Sequence, residues 1–426
     1  MADVFLSKLK QMRGEMTVPG DKSISHRVAM IGSIAEGVSV IKNFSSAIDC
    51  RTTINCMQKL GVNIRESGSD FVIQGKGPDS LQEPADVLDC GNSGTSMRLL
   101  CGLLAGQNFP AILTGDDSLR SRPMARIMTP LNENGADLRG RQDNRFAPIY
   151  INGKRLTAIG YHLPVASAQV KSALLLAGLY TDGKVEIVEP VTSRDHTERL
   201  LEFYGVDVLK GKPVISLGPN RRPRARNFVV PGDLSSAAFP IALALLLKNA
   251  ELKIRDVGIN PTRTGFLDVL QAMGAEIRIE NRRLQCNEPI GDIVTGYSKL
   301  TGIEVGGKTI PLMIDELPLL AVVATQATGR TVIKDAGELR VKESDRISAI
   351  VKELKKMGAS IEESSDGFTV EGPTPLHGAD CASHGDHRIA MALSVAGWIA
   401  DGETAIRNAE CVDISFPEFY DLVKIT

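Results

Sequence analysis

The chain repeats itself. Six stretches share one order: a polar turn, an apolar run of helical length, a small break, then a short β-rich run. They are "GDKSISHRVAMIGSIAEGVSVIKN" (20–43), "GNSGTSMRLLCGLLAGQNFPAIL" (91–113), "VASAQVKSALLLAGLYTDGKVEIV" (165–188), "GDLSSAAFPIALALLLKNAELKI" (232–254), "DELPLLAVVATQATGRTVIK" (315–334) and "GDHRIAMALSVAGWIADGETAIRN" (385–408). A period of roughly 70 residues is the size of a supersecondary unit that cannot bury its own apolar faces and must stack on its neighbours. Gly37, Gly106, Gly183, Asn249, Gly329 and Gly402 mark the breaks, and each suits a left-handed helix C′ position.

A second piece alternates with the first: an amphipathic helix closed by glycine, then a strand. It reads "MQKLGVNI", "LNENGADL", "LEFYGVDV", "LQAMGAEI" and "LKKMGASI", with glycines at 61, 135, 205, 274 and 358. In "KESDRISAIVKELKKMG", Ile347, Ile350, Val351, Leu354 and Met357 step by three and four, which gives one apolar face. "VPGD" occurs at Val18–Asp21 and again at Val230–Asp233, and marks the junctions between halves. The expected fold is α/β. It has two domains of three units each, one spanning 19–231 and the other 1–18 plus 232–426, joined by a two-strand hinge. The repeated apolar helices bury one another inside each domain.

At 426 residues there is enough chain for two such cores. A net charge of −2 with both signs mixed argues against a general nucleic-acid or membrane-surface binder. The longest unbroken apolar stretch, Ala237 to Leu247, is too short for a bilayer and contains Pro240. "MADVFLSKLKQMRG" lacks a signal-peptide core. Seven cysteines (50, 56, 90, 101, 286, 381, 411) include no C-x-x-C pair, which fits reduced thiols in the cytoplasm and no zinc site. None lies in a basic loop, so buried thiols are preferred to a nucleophile.

The polar turns hold the chemistry. A helix N-terminus offers unpaired N–H groups and about half a positive charge, which attract anions. Lys22, Ser23 and Arg27 decorate the first, "NSGTSMR" (92–98) the second, Ser167 and Gln169 the third, and Arg388 the sixth. "LRSRP" (119–123) and "RVKESDR" (340–346) add bases between helices. If 340–346 is helical, Lys342 and Arg346 share a face. Singly, each feature has a plainer reading. Ser or Asp at a helix start is by default an N-cap, and an isolated arginine is by default a surface residue, the class to which Arg98 and Arg120 are assigned. Asp21 and Asp386 read as caps or arginine partners, and His26 and His387 as structural. Recurrence at one point of the repeat favours convergence on a ligand with several negative charges, each charge-assisted bond worth about 1.5–3 kcal/mol.

"GIEVGGKT" (302–309) matches the phosphate loop of ATPases, but no buried strand precedes it and Ile310-Pro311 follows where a helix should continue. A nucleotide is therefore not expected, nor, without a carboxylate cluster of suitable spacing, a metal. Two acids stand among the bases. Asp315 opens the fifth helix, where nearby cations suit a carboxylate base. Glu343 lies between Lys342 and Arg346 and needs burial to act as a proton donor.

The stretches "PGDKSISHR", "GNSGTSMR", "LTGDDSLRSRPM", "SAQVKSALLLAGL", "RDHTERLL", "IDELPLLAV", "RVKESDR" and "GDHRIAM" occur in order over nearly the whole chain. Together they resemble the enolpyruvyl transferases, and among them the 5-enolpyruvylshikimate-3-phosphate synthase family, in its Ser-Ala-Gln (class II-like) subgroup. The resemblance implies two inside-out α/β domains with a ligand cleft that closes between them. It implies transfer of the enolpyruvyl group of phosphoenolpyruvate to the 5-hydroxyl of shikimate 3-phosphate, on the route to chorismate and the aromatic amino acids. The transfer runs by addition and elimination and needs no cofactor. Lys22, Ser23, Arg27, Ser167, Gln169, Arg194, Asp315 and Lys342 are then expected to hold shikimate 3-phosphate. Lys22, Gly94, Arg122, Gln169, Arg346 and Arg388 are expected to hold phosphoenolpyruvate. Asp315 would take the hydroxyl proton, Glu343 would move the proton at C3, and Lys22 would touch both ligands. The partners are these two small molecules, with no nucleic acid, no membrane and a monomeric chain.

One position departs from the family pattern: Ile414 of "VDISFPEF" stands where many members have lysine. Gly94 sits where a methyl group would crowd a glyphosate-like inhibitor, so sensitivity is expected. Two other functions fit part of the pattern. A transferase acting on UDP-N-acetylglucosamine usually has a cysteine in a first-domain loop, which 115–128 lacks. A non-catalytic binder of phosphorylated ligands or RNA would account for the bases but not for Asp315 and Glu343.

Overall fold

The computed structural model describes residues 3–68 and 70–424, with the side chain of Val423 left aside. Met1, Ala2, Ser69, Ile425 and Thr426, which fall within the expected domain ranges, lie outside the described residues. The chain divides into two compact units. One is Gly20–Val230 with Gln285–Glu288, and the other is Met1–Pro19, Pro231–Leu284 and Pro289–Thr426. Each has its own apolar core.

In the Gly20–Val230 unit, three four-stranded sheets follow one plan. The first orders its strands Phe228–Val229, Glu36–Lys42, Asp70–Lys76 and Asn63–Ser67. The second is Leu88–Asp89, Pro110–Thr114, Phe146–Asn152 and Leu138–Gly140, and the third Ile159–His162, Val185–Val188, Val214–Leu217 and Val208–Gly211. In each, the first two strands are parallel and the last two form an antiparallel hairpin. In the second and third sheets a buried helix, Gly94–Ala105 or Ala168–Gly178, provides the crossover that the parallel step needs, whereas in the first the parallel partner Phe228–Val229 arrives after the rest of the unit. The other unit repeats the plan twice, with Met12–Met16 entering beside Ala250–Gly258 and Glu304–Val305 beside Gly329–Ile333. Its third sheet has three strands, Asp380–Ala382, Thr404–Arg407 and Val4–Leu6.

Each sheet buries one face, as the alternating burial of Asp70–Lys76 shows. The repeated apolar helices are enclosed instead. Leu234–Leu246 buries every residue except Leu246, and His387–Ile399 every residue except Ile399. A helix apolar all round is stable only at the centre of a core, so helices lie inside and sheets outside. Helices Gly94–Ala105 and Ala168–Gly178 approach so closely that a Cβ at Gly102 would lie 2.1 Å from the Ala173 carbonyl oxygen. The apolar run Gly307–Gln326 passes for a membrane span by length and composition, but Pro311 and Pro318 interrupt it and 72% of its apolar window is buried in the unit.

The two kinds of glycine divide differently from the sequence expectation. Gly61, Gly135, Gly205, Gly274 and Gly358 all have positive φ and close the amphipathic helices. Of the breaks after the apolar helices, Gly37, Gly329 and Gly402 have positive φ, but Gly37 and Gly329 belong to the following strands. Asn249 is not among the positive-φ residues. Space is the reason for Gly106 and Gly183. A Cβ would lie 2.4 Å from Tyr180 Cβ at Gly106, and 2.1 Å from the Thr157 carbonyl oxygen at Gly183.

Candidate active site

The tips of the buried helices are capped as the plainer reading expects. Asp21, Ser93, Ser167, Asp233 and Asp386 accept from backbone N–H groups of the first turn. The helix Leu317–Gln326 has no side-chain cap and carries Pro318 in its first turn, where no N–H is needed. The caps leave the next residues of each tip for other work.

In the Gly20–Val230 unit, Lys22 Nζ donates to Asp49 Oδ2 at 3.1 Å, and both side chains are largely buried. Arg27, 4% exposed, donates to Thr197 Oγ1 at 2.7 Å, Ser23 O at 2.9 Å and Ser172 Oγ at 2.9 Å. All three acceptors are neutral. Burial pushes its pKa down to about 10 against the attraction of Glu198 and Asp21, and Arg194 adds a repelling positive charge. A buried cation whose hydrogen bonds all go to neutral acceptors, with carboxylates only at longer range, keeps affinity for an anion in direct contact.

A second group forms around Gln169, whose Oε1 accepts from Arg98 Nη1 at 2.8 Å and Arg126 Nη2 at 3.3 Å. Its Nε2 donates to Thr95 Oγ1 at 3.4 Å. Arg122, just past the short helix Asp117–Ser121, donates to Asn92 Oδ1 at 2.6 Å and Ser118 Oγ at 3.1 Å. Gly94 lies beneath two of these guanidiniums: a Cβ there would stand 2.9 Å from Arg98 Nη1 and 3.6 Å from Arg122 Nη1. The surface assignment of Arg98 is therefore corrected, since it is 8% exposed and belongs to this group. Its signal was legible, because position 98 lies one helical turn after Gly94. Arg126 and Asp49 were missed outright. Arg120 is a surface residue paired with Asp117.

His26 is buried and structural, its Nδ1 bonded to Thr53 Oγ1 at 2.7 Å. Thr53 Oγ1 in turn meets Ser96 Oγ at 2.6 Å, and Ser96 Oγ donates to the Ser93 cap at 2.8 Å. This chain of hydroxyls ties three helices together. Cys50 lies against Lys22 O, and burial pushes its thiol well above the ordinary range, so it is no nucleophile.

In the other unit, Arg346 is the centre. It is 2% exposed and faces three carboxylates: Asp386 at 2.8 Å, Glu343 at 2.6 Å and Asp315 at 3.6 Å. Burial alone would lower its pKa, but the attraction of Asp386, Glu343 and Asp315 outweighs burial and raises it. Nε and Nη2 are taken by Asp386 and Glu343, which leaves Nη1 toward Asp315. Asp315 belongs to the turn Ile314–Glu316 that leads into the fifth buried helix. Arg388 is the opposite case. Its Nη1 donates to Ser235 O at 3.3 Å and its guanidinium lies 5.9 Å from the Phe239 ring centre, both uncharged partners, at 6% exposure.

Lys342 corrects one expectation. It follows the 3-10 turn Gly337–Val341, and the helix begins only at Arg346 with Asp345 as its cap. Lys342 and Arg346 therefore share no helical face, and Lys342 Nζ donates to Glu338 Oε1 at 3.2 Å. Ile414 ends the turn Ala409–Ile414, half-buried. At 302–309 a one-turn helix, Ile310–Met313, does follow, with Pro311 in its first turn. The Gly307 N–H donates to Asp335 Oδ2 at 2.8 Å, and a carboxylate in that place repels phosphate.

The model of the family described as EPSP synthase (3-phosphoshikimate 1-carboxyvinyltransferase) matches residues 6–423. A 3-phosphoshikimate 1-carboxyvinyltransferase of Thermodesulfovibrio yellowstonii is 53% identical over 424 residues, 99% of each chain. One of Petrotoga mobilis is 52% identical, over 99% of this chain and 98% of the other. Among solved structures, EPSP synthase from Acinetobacter baumannii superposes with a TM-score of 0.88 at 43% identity, covering 99% of this chain and 97% of the other. The enolpyruvyl transferase NikO from Streptomyces tendae, at 19% identity and a TM-score of 0.79 over 99% and 96%, shares the fold.

Proposed function

The chain belongs to the EPSP synthase family, and from that premise we propose how its charged helix tips divide the work of catalysis. The reaction is 3-phosphoshikimate 1-carboxyvinyl transfer. The 5-hydroxyl oxygen of shikimate 3-phosphate bonds to C2 of phosphoenolpyruvate while C3 gains a proton. The C2–O bond to phosphate then breaks and C3 gives the proton back, which leaves the enol ether and free phosphate.

Arg27, with Lys22, Ser23, Ser167, Gln169, Arg194 and Lys342, holds shikimate 3-phosphate. Gly94, Arg122, Gln169 and Lys22, with Arg346 and Arg388, hold phosphoenolpyruvate. The contrast between cations supports a division of tasks between anion capture and holding the acids. Arg27 and Arg388 donate to neutral groups, so each keeps attraction for a ligand anion in direct contact. Arg346 already has carboxylates, so its main task is to hold Asp315 on Nη1 and Glu343 on Nη2 while it faces the substrate. Asp315 accepts the hydroxyl proton and Glu343 exchanges the proton at C3. Cations around the reacting carbon stabilise the charge that develops there.

The observation that supports this reading best is the approach of two acids to one buried guanidinium, Glu343 at 2.6 Å and Asp315 at 3.6 Å. A mere anion binder has no use for them. Transfer to UDP-N-acetylglucosamine is likewise not favoured. All seven cysteines are free thiols, which supports a cytoplasmic protein, working as a monomer without cofactor, nucleic acid or membrane. The test is to mix the protein with shikimate 3-phosphate and phosphoenolpyruvate and follow phosphate release. Release that requires both substrates is expected, and release from phosphoenolpyruvate alone would overturn the reading.

A further inference from the structure

Lys171 is a lysine with no exposed surface, on the helix Ala168–Gly178 whose tip carries Ser167 and Gln169. Lysine is almost never fully buried without partners. Its ammonium lies 2.8 Å from Glu198 Oε1 and 3.0 Å from Glu189 Oε2, and donates to Ser193 O at 3.4 Å. Those partners span 189–198, the segment that also carries Arg194 and ends in the first turn of the helix His196–Phe203.

The next residue repeats the grip. Ser172 Oγ meets Thr197 Oγ1 at 2.6 Å, and both hydroxyls accept from Arg27. Two neighbours on one helix, Lys171 and Ser172, thus hold two neighbours on the other, Glu198 and Thr197. The hydroxyl pair is the seat of the Arg27 guanidinium. The ionic pair sets the distance between the two helices that carry it.

Resting on the proposed shikimate 3-phosphate site, we propose that Lys171 is a positioning residue for that site. By holding Glu189 and Glu198, it fixes the 189–198 segment, and through Thr197 the aim of Arg27. It touches neither substrate. Its loss weakens capture of shikimate 3-phosphate and spares both phosphoenolpyruvate and the chemical step.

The test compares wild type, Lys171→Met, and Lys171→Met with Glu198→Gln. The single variant leaves two buried carboxylates without their cation and loses stability. In the double variant Glu198 is neutral, while Glu189 keeps the N–H and hydroxyl of Ser193 as donors. It should fold with a melting midpoint close to wild type. Its KM for shikimate 3-phosphate should stay raised about tenfold or more, with kcat and KM for phosphoenolpyruvate within about threefold of wild type. A KM that recovers together with stability, or a double variant that does not fold, overturns the proposal. Arg27→Met separates the two levels. If it binds shikimate 3-phosphate as wild type does, by calorimetry, the reading of the site falls and this proposal with it. If it binds weakly while the double variant has a normal KM, only the role of Lys171 falls.

Discussion

Arg346 and Asp386 meet along one edge: Nε donates to Oδ2 at 2.8 Å and Nη2 to Oδ1 at 3.2 Å. Asp386 also caps the last buried helix, accepting from the Arg388 N–H at 2.9 Å. One carboxylate therefore orients the arginine that separates the two acids and anchors the helix that carries Arg388. Removing one member of a buried pair costs about 3–5 kcal/mol. Arg346→Met should lose stability on that scale in denaturant unfolding, and Asp386→Asn added to it should recover part. An unchanged midpoint in Arg346→Met would show that the cage is not under charge stress.

In the proposed mechanism Asp315 accepts the hydroxyl proton. Asp315→Ala should lower kcat by about 10²- to 10⁴-fold, the usual range for a general base. Calorimetry should still find both substrates binding. Turnover at the wild-type rate would remove Asp315 from the mechanism.

Gly94 stands beneath Arg98 and Arg122 with an ordinary helical backbone, so alanine is strained there by space alone. Arg98 must move to admit the methyl group. The KM for phosphoenolpyruvate should rise about tenfold in Gly94→Ala, matching an overpacking cost of ~1.4 kcal/mol. Inhibition by glyphosate should weaken by more than that, since the wild type is expected to be sensitive. A wild-type rate unchanged at millimolar glyphosate would contradict this.

Acid should act through His26. Burial first, then the charges of Lys22 and Arg27, hold its pKa well below the ordinary 6.5. Below that pH the unfolded chain binds a proton that the folded chain refuses. The stabilising contribution is therefore complete above pH 6.5 and is lost as the pH falls. Wild type should lose up to about 1.4 kcal/mol per pH unit more than His26→Gln below pH 6. Unfolding curves at pH 7, 6 and 5 measure this, and equal acid losses in both proteins would refute it.

Much of the architecture was legible because it is local. Six apolar helices, the side-chain caps on five of them and the five left-handed glycines that close the amphipathic helices each depend on residues within a few positions of one another. The candidate site was legible in part for the same reason: Lys22, Gly94, Gln169, Asp315 and Arg388 all sit at helix tips. Lys171 was invisible because its partners lie on another element, and its position in "SAQVKSALLLAGL" reads only as one polar residue in an apolar helix. Lys342 was misread because a turn and a helix both bring residues four apart near each other, and only the cap at Asp345 decides where the helix starts.

The sequence by itself determined the repeat, the helix tips and which residue types gather there, since periodicity and capping act over short distances. The tertiary structure alone decided which cations are already neutralised. Arg27 reaches Thr197 across 170 positions and Arg388 reaches Ser235 across 153, and both donate to neutral oxygens. Arg346 finds three carboxylates. Charge balance depends on distance in space, and the order of residues along the chain does not encode it.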